Sequence, residues 1–185
     1  YKEVFPLIKD NKVWLGATNF NVGMYFFVPK GFVYKDSYKF IREMDGKAVN
    51  RVPGVCWYSN IEHGRRHEPL ALMSMADNLR FSKHKELKGK TAYDRYDNYD
   101  AIEVPFTDAI PSDYDGVMGV PISFLDKYCP EQFEILGISL ELGIKKPDNL
   151  PKEKQGGPAF YIKMGTDYNR MYCRLAIRRK LTVDN

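Results

Sequence analysis

Apolar positions along the chain fall into short runs with different periods rather than one sustained pattern. In YKEVFPLIKDNK, Val4, Leu7 and Ile8 recur at helical spacing with Phe5 beside them. This predicts an amphipathic helix ending near Asp10–Asn11. KVWLGA (Lys12–Ala17) and MYFFVP (Met24–Pro29) read as β runs around an NFNVG turn, the second almost wholly apolar. Close apolar strands after a helix suit the edge of an α/β sheet. GFVYKDSYKFIREMDGKA (Gly31–Ala48) is polar and turn-rich, so it predicts a surface connection. VPGVCWYSN (Val52–Asn60) reads as a third strand. Polar and basic segments follow, which places an organisational boundary near residue 60.

The densest patterning lies between Tyr96 and Gly137. AIEVPF (Ala101–Phe106) alternates like a half-buried strand. IPSDYDG (Ile110–Gly116) is turn chemistry, with Pro fixing φ and Asp113 and Asp115 able to bond nearby backbone. GVPISFLDKY sets Pro121 at the head of a short helical segment, and CPEQFEILGIS reads as a strand. IKKPDNLPKEKQGGP (Ile144–Pro158) predicts a mobile surface loop. AFYIKMGTDYNRMYCRLAIRRK predicts two β runs around a GTDYN turn.

Composition adds limits. With 185 residues, 44% hydrophobic, the chain can bury one sizeable core. A net charge of +4 permits an acidic partner without requiring one. The three cysteines are scattered and form no CxxC pair, which suits reduced thiols and a cytoplasmic setting. No apolar run approaches the roughly 20 residues of a membrane span, and no signal peptide is visible. The helical pattern starts at Tyr1 without an N-cap residue, so the chain is expected to be the C-terminal portion of a longer protein.

Several clusters could carry chemistry. His63 and His67 stand four apart around Gly64 and lack an obvious third ligand, against a zinc site. The same segment can be a polar loop, or Arg65 and Arg66 can contact phosphate through their planar donors. Asp97, Asp100, Asp113 and Asp115 could hold a divalent cation but are ordinary turn residues. Asp77, Glu86 and Lys88 have the spacing of a metal-dependent nuclease, on a stretch that reads as helix or loop. Arg80, Lys83, Lys85, Lys88 and Lys90 form one basic stretch. Arg174, Arg178, Arg179 and Lys180 form another, which reads equally as a charged edge strand.

Five strings carry the reading further. EVFPLIKDNKVWLG, VCWYSN followed by RRHE, YDNYDAIEV, IPSDYDGVMGVPISFLDKY and PEQFEILG resemble, in that order, the C-terminal half of the EcoRI-type adenine-specific DNA methyltransferases. The resemblance spans most of residues 1–140, fades in the Lys-rich loop and returns in YCRLAIRRK. WYSN stands where Trp-Phe-Thr-Asn is expected, a conservative departure.

The resemblance implies an α/β fold class, in an α+β fragment. Residues 1–60 would be the end of a Rossmann-like methyltransferase sheet, and 61–185 an irregular, β-rich target-recognition region. It implies S-adenosylmethionine as cofactor of the parent enzyme and double-stranded DNA as partner, with no membrane association. The family's Asn-Pro-Pro-aromatic motif does not occur here; Asn149-Leu150-Pro151 is not that motif. No catalytic residue, metal ligand or cofactor-binding residue is therefore carried over. Enzymes that act on a stacked base must extrude it and hold the flanking duplex. On that logic Asn60, His63, Arg65, Arg66, Asn98, Lys127, Arg174 and Arg178 are the candidate DNA-facing residues. A non-catalytic DNA-binding or interaction module is the alternative, followed by the Asp77, Glu86, Lys88 nuclease.

Overall fold

Short apolar runs separated by Pro, Gly and Asp cannot build long elements, and the computed structural model describes strands of two to six residues joined by ordered turns. It describes residues 3–17, 24–29, 41–52, 56–151 and 156–180. The chain packs as two units, one of Trp14–Ile61 and one of Tyr1–Val13 with Glu62–Asn185.

In the smaller unit, β1 (Trp14–Leu15) pairs antiparallel with β5 (Tyr58–Ser59), and the Trp14 indole N–H donates to the Ile61 carbonyl at 2.9 Å. β2 (Met24–Phe27), β3 (Ile41–Met44) and β4 (Lys47–Val52) form an antiparallel sheet in the order β2-β4-β3. This corrects the expectation of a surface connection over Gly31–Ala48, of which residues 31–40 lie outside the described ones. The neglected signal is Asp45-Gly46: both adopt positive φ, 53° and 69°, as a tight hairpin turn requires. Residues 53–55, inside the expected third strand, also lie outside the described residues.

The larger unit begins with α1 (Val4–Lys9). Pro6 is tolerated because its missing N–H falls in the first turn. The buried residues are Phe5 and Ile8, whereas Val4 and Leu7 are exposed, so the apolar face is rotated from the expected one. α2 (Met75–Phe81) is capped by Ser74, whose Oγ accepts from the Asp77 N–H at 3.1 Å.

Four strands form the central sheet in the order β6-β7-β11-β8: β6 (Ile102–Glu103), β7 (Met118–Pro121), β8 (Phe133–Ile138) and β11 (Arg174–Arg179). β6 runs parallel to β7, and the other pairs are antiparallel. β9 (Tyr161–Met164) and β10 (Asp167–Arg170) form a hairpin that turns at Gly165-Thr166, so Asp167, Tyr168 and Asn169 of the expected GTDYN turn are strand instead. The segment after it is the central strand β11, flanked on both sides, and so not the charge-guarded edge the sequence suggested. Its middle, Leu175-Ala176-Ile177, is fully buried.

Two further expectations are corrected. Ala101 to Val104 are all buried, so AIEV is not half-exposed; Glu103 is accommodated by a charged partner. The expected mobile loop Ile144–Pro158 is anchored through its first part, where Ile144 and Leu150 are buried, and its residues 152–155 lie outside the described ones. The α+β class holds, with several small sheets and few helices.

Candidate nucleic-acid interface

Register across the central sheet explains how the large unit presents its polar groups. Ala176 lies opposite Gly119 on β7 and Gly137 on β8, giving a row of small residues on one face. Tyr96 and Phe160 pack there with Ala176, their rings stacked at 4.6 Å. A Cβ on Gly119 would stand 2.0 Å from the Tyr96 hydroxyl oxygen, so only glycine lets that ring lie across β7.

Glu103, paired in register with Gly119, reaches the same place. Its carboxylate accepts from the Tyr96 hydroxyl and, at 2.7 to 3.1 Å, from Nη2 and Nε of Arg174. Burial and then the Glu103 charge push the Tyr96 phenol far above its ordinary pKa, so it stays a donor. Burial pulls Arg174 down, but Glu103 more than offsets it and keeps the guanidinium charged. A cleft of about 940 Å³ opens beside this group, walled by Leu87, Phe106, Ile162 and Met171. Its pairs Lys90–Asp94 and Arg174–Glu103 close on themselves.

A second polar network straps the Glu62–Leu70 segment in place. His67 sits between two carboxylates, Nδ1 2.8 Å from Glu131 and Nε2 2.9 Å from Glu62. Those hydrogen bonds, Glu131 first, raise the imidazole pKa above its ordinary value. Glu62 also accepts from Arg66 at 3.0 Å, and Arg66 donates to Asn11. Leu70 and Gln132 exchange two hydrogen bonds at 2.8 and 2.9 Å. The strapped segment carries Arg65 outward, its Nη2 3.6 Å from Asp126, and Lys127 is exposed on the same 3-10 segment as Asp126.

The eight candidate residues separate by placement. Arg65, Lys127 and Arg178 are exposed in the large unit, Arg178 with its Nη2 3.0 Å from Glu134. Asn60 is exposed in the small unit, and His63 is half-buried ahead of a 3-10 turn at Gly64–His67. Three others have their polar groups engaged inside the large unit. Arg66 is buried against Glu62 and Asn11, and half-buried Arg174 pairs with buried Glu103. Asn98 donates to the Lys145 and Ala159 carbonyls and accepts from the Tyr161 N–H, all within 2.8 to 2.9 Å. Sequence reasoning passed over Phe81, which is exposed at the end of α2 with Arg80 over its ring at 4.9 Å. An aromatic within a basic stretch was the available signal.

The acidic candidates do not converge. Asp77 accepts from the Ser74 hydroxyl at 2.7 Å, and Asp113 accepts from the Met75 N–H at 2.7 Å. Asp100 pairs with Arg95. Among the described residues there is no group of three or more His, Cys, Asp or Glu placed to hold a metal ion. No helix among them is long and apolar enough to cross a membrane.

Comparison with known proteins gives the class. The chain is 40% identical over 153 residues to the type II methyltransferase M.EcoRI of Escherichia coli, covering 80% of this chain and 41% of that protein. It is 33% identical over 138 residues to the type II methyltransferase M.MpnI of Mycoplasma pneumoniae, covering 74% and 40%. A third relative, M.MgeORF184P of Mycoplasma genitalium, is 34% identical over 137 residues, again covering 74% and 40%. The chain thus spans about two-fifths of the length of these curated relatives. No solved structure matches it. The family described as adenine-specific methyltransferase EcoRI matches residues 1–180, and the chain belongs to that family.

Proposed function

We propose that this chain is the C-terminal, DNA-recognising part of an S-adenosylmethionine-dependent DNA adenine methyltransferase of a restriction–modification system. The observation that carries the reading is the family match across residues 1–180 in a chain without Asn-Pro-Pro-aromatic. Residues 1–60 would close the methyltransferase sheet, and 61–185 would read the target.

The target amine lies inside the base stack, so the base must be extruded while the flanking duplex is held. Basic side chains fix the phosphates, and polar ones read base edges. Arg65, Lys127 and Arg178 are exposed and suit phosphate contact, with Asn60 and His63 as further candidates. Arg66, Asn98 and Arg174 would act by holding the scaffold, since their donors are committed within it.

S-adenosylmethionine supplies the methyl group in such a reaction. Around the large cleft the Arg174–Glu103 and Lys90–Asp94 charges are paired with each other, while Glu86 and Lys163 also line it. The main binding loop for the donor is not in this sequence, and the segment alone should transfer no methyl group. Incubating residues 1–185 with S-adenosylmethionine and duplex DNA tests this. Adenine methylation by this segment would overturn the partition. Methylation only by a longer form carrying the Asn-Pro-Pro-aromatic motif is the expected result.

A further inference from the structure

The end of α2 and the turn after it carry cations beyond Arg65, Lys127 and Arg178. Arg80, Phe81, Lys83, Lys85 and Lys88 are all exposed. Glu86 is the one acid between residues 80 and 90. Arg65, Arg95 and Arg178 each lie beside a carboxylate, whereas among the described residues Lys83, Lys85 and Lys88 form no ion pair. The backbone beneath them is fixed. The His84 ring stacks on Phe106 at 3.7 Å, and its Nε2 lies 2.9 Å from Asp108. Leu87 is buried, and the Leu87 and Lys88 N–H groups donate to the His84 carbonyl at 3.1 and 3.0 Å. Cations carried on an ordered turn meet a ligand without the cost of ordering a loop.

Phe81 sets this surface apart from an ordinary solvated face. It is 62% exposed at the last position of α2, with the Arg80 guanidinium over its ring at 4.9 Å. An acidic peptide or an anionic lipid would satisfy the lysines alone. A flat ring among cations offers more: a stacking face for a base, with counter-charge for the adjoining phosphates. We propose that Arg80–Lys88 is a second DNA contact surface, where Lys83, Lys85 and Lys88 take phosphates and Phe81 stacks on an unpaired base. This rests on the reading of the chain as DNA-recognising. Extrusion of a target base leaves its partner unpaired, so the parent reaction supplies a base of that kind. Phe81 thereby adds a contact that senses pairing to the phosphate contacts of Arg65, Lys127 and Arg178.

The test measures binding of the whole chain to a short paired duplex and to the same duplex carrying one unpaired base, across a salt series. Wild type should bind the second more tightly. Phe81→Ala should weaken that binding at least about fivefold and change binding to the paired duplex less than about twofold. Phe81→Trp should keep the preference. Replacing Lys83, Lys85 and Lys88 together by Gln should lower the magnitude of the salt slope by roughly two to three on both duplexes. Because these side chains are exposed, thermal melts of all the variants should match wild type. Phe81→Ala that binds the unpaired-base duplex as wild type does would overturn the proposal. So would an unchanged salt slope in the triple variant. Either result, with wild type still binding DNA in a salt-dependent way, leaves the proposed function standing. No DNA binding by wild type at low salt would refute both. A triple variant that loses binding to phosphatidylserine vesicles but keeps its DNA affinity would assign the lysines to a lipid surface and overturn the proposal too.

Discussion

Arg174 and Glu103 meet as a two-pronged ion pair on one face of the central sheet, Nη2 2.7 Å from Oε1 and Nε 3.1 Å from Oε2. They are 71 residues apart in sequence, and both side chains are largely withdrawn from water. Removing one partner leaves the other as an uncompensated buried charge. Arg174→Met should therefore destabilise the chain by about 3–5 kcal/mol in urea denaturation. Arg174→Met with Glu103→Leu should recover much of that loss, because the unpaired charge is gone. A single substitution that leaves the urea midpoint unchanged would contradict this account.

Gly119 is dictated by the ring that crosses it. In Gly119→Ala the new methyl would overlap Tyr96, which is also held by Glu103 and stacked on Phe160. The expected cost is about 1–3 kcal/mol or more, the range for overpacking a filled core. Gly157→Ala, where no heavy atom lies within 4 Å of the new Cβ, serves as the control and should change stability little.

His67 gives stability a sign with pH. Its folded pKa is raised by Glu131 and Glu62, so the protonated ring favours the folded state. That contribution is fully present below the ordinary value near 6.5 and is lost as pH rises through the higher folded value. An NMR titration should place the His67 midpoint above 6.5, and His67→Gln should remove this part of the pH dependence. A midpoint at or below the ordinary value would show that the two carboxylates do not hold the proton.

The candidate DNA contacts divide in the same measurable way. Arg65→Ala, Lys127→Ala and Arg178→Ala should each weaken duplex binding with little change in Tm. Each should also reduce the magnitude of the salt slope by about one if it removes one phosphate contact. Asn98→Ala should act through folding, because it removes three hydrogen bonds joining the Asn98 loop to Lys145, Ala159 and Tyr161. Filter binding and thermal melts on the same proteins separate the two effects.

Much of the fold was legible because local chemistry and tertiary structure agree. Pro121 starts the 3-10 segment Ile122–Lys127, Phe133–Ile138 is a strand, and the chain turns at Gly165, although the second arm of that hairpin begins already at Asp167. The misreadings have physical causes. Asp45-Gly46 was hidden in a polar stretch, although its positive φ values make a hairpin. The charges at both ends of β11 suggested an edge, whereas Glu103 and Glu134 pair with Arg174 and Arg178 and let that strand occupy the centre. Of the candidate site, residue type was legible but direction was not. Arg65 and Arg66 are neighbours in sequence, yet one is exposed and the other is buried against Glu62. Only long-range partners decide that.

The central claim is that residues 1–185 hold duplex DNA through phosphate contacts. Its most direct test is the affinity of the chain for duplex DNA across a salt series. The account predicts binding at low salt, with log K falling linearly against log salt at a slope of roughly −0.9 per phosphate contacted. No binding at low salt, or binding indifferent to salt, would contradict it.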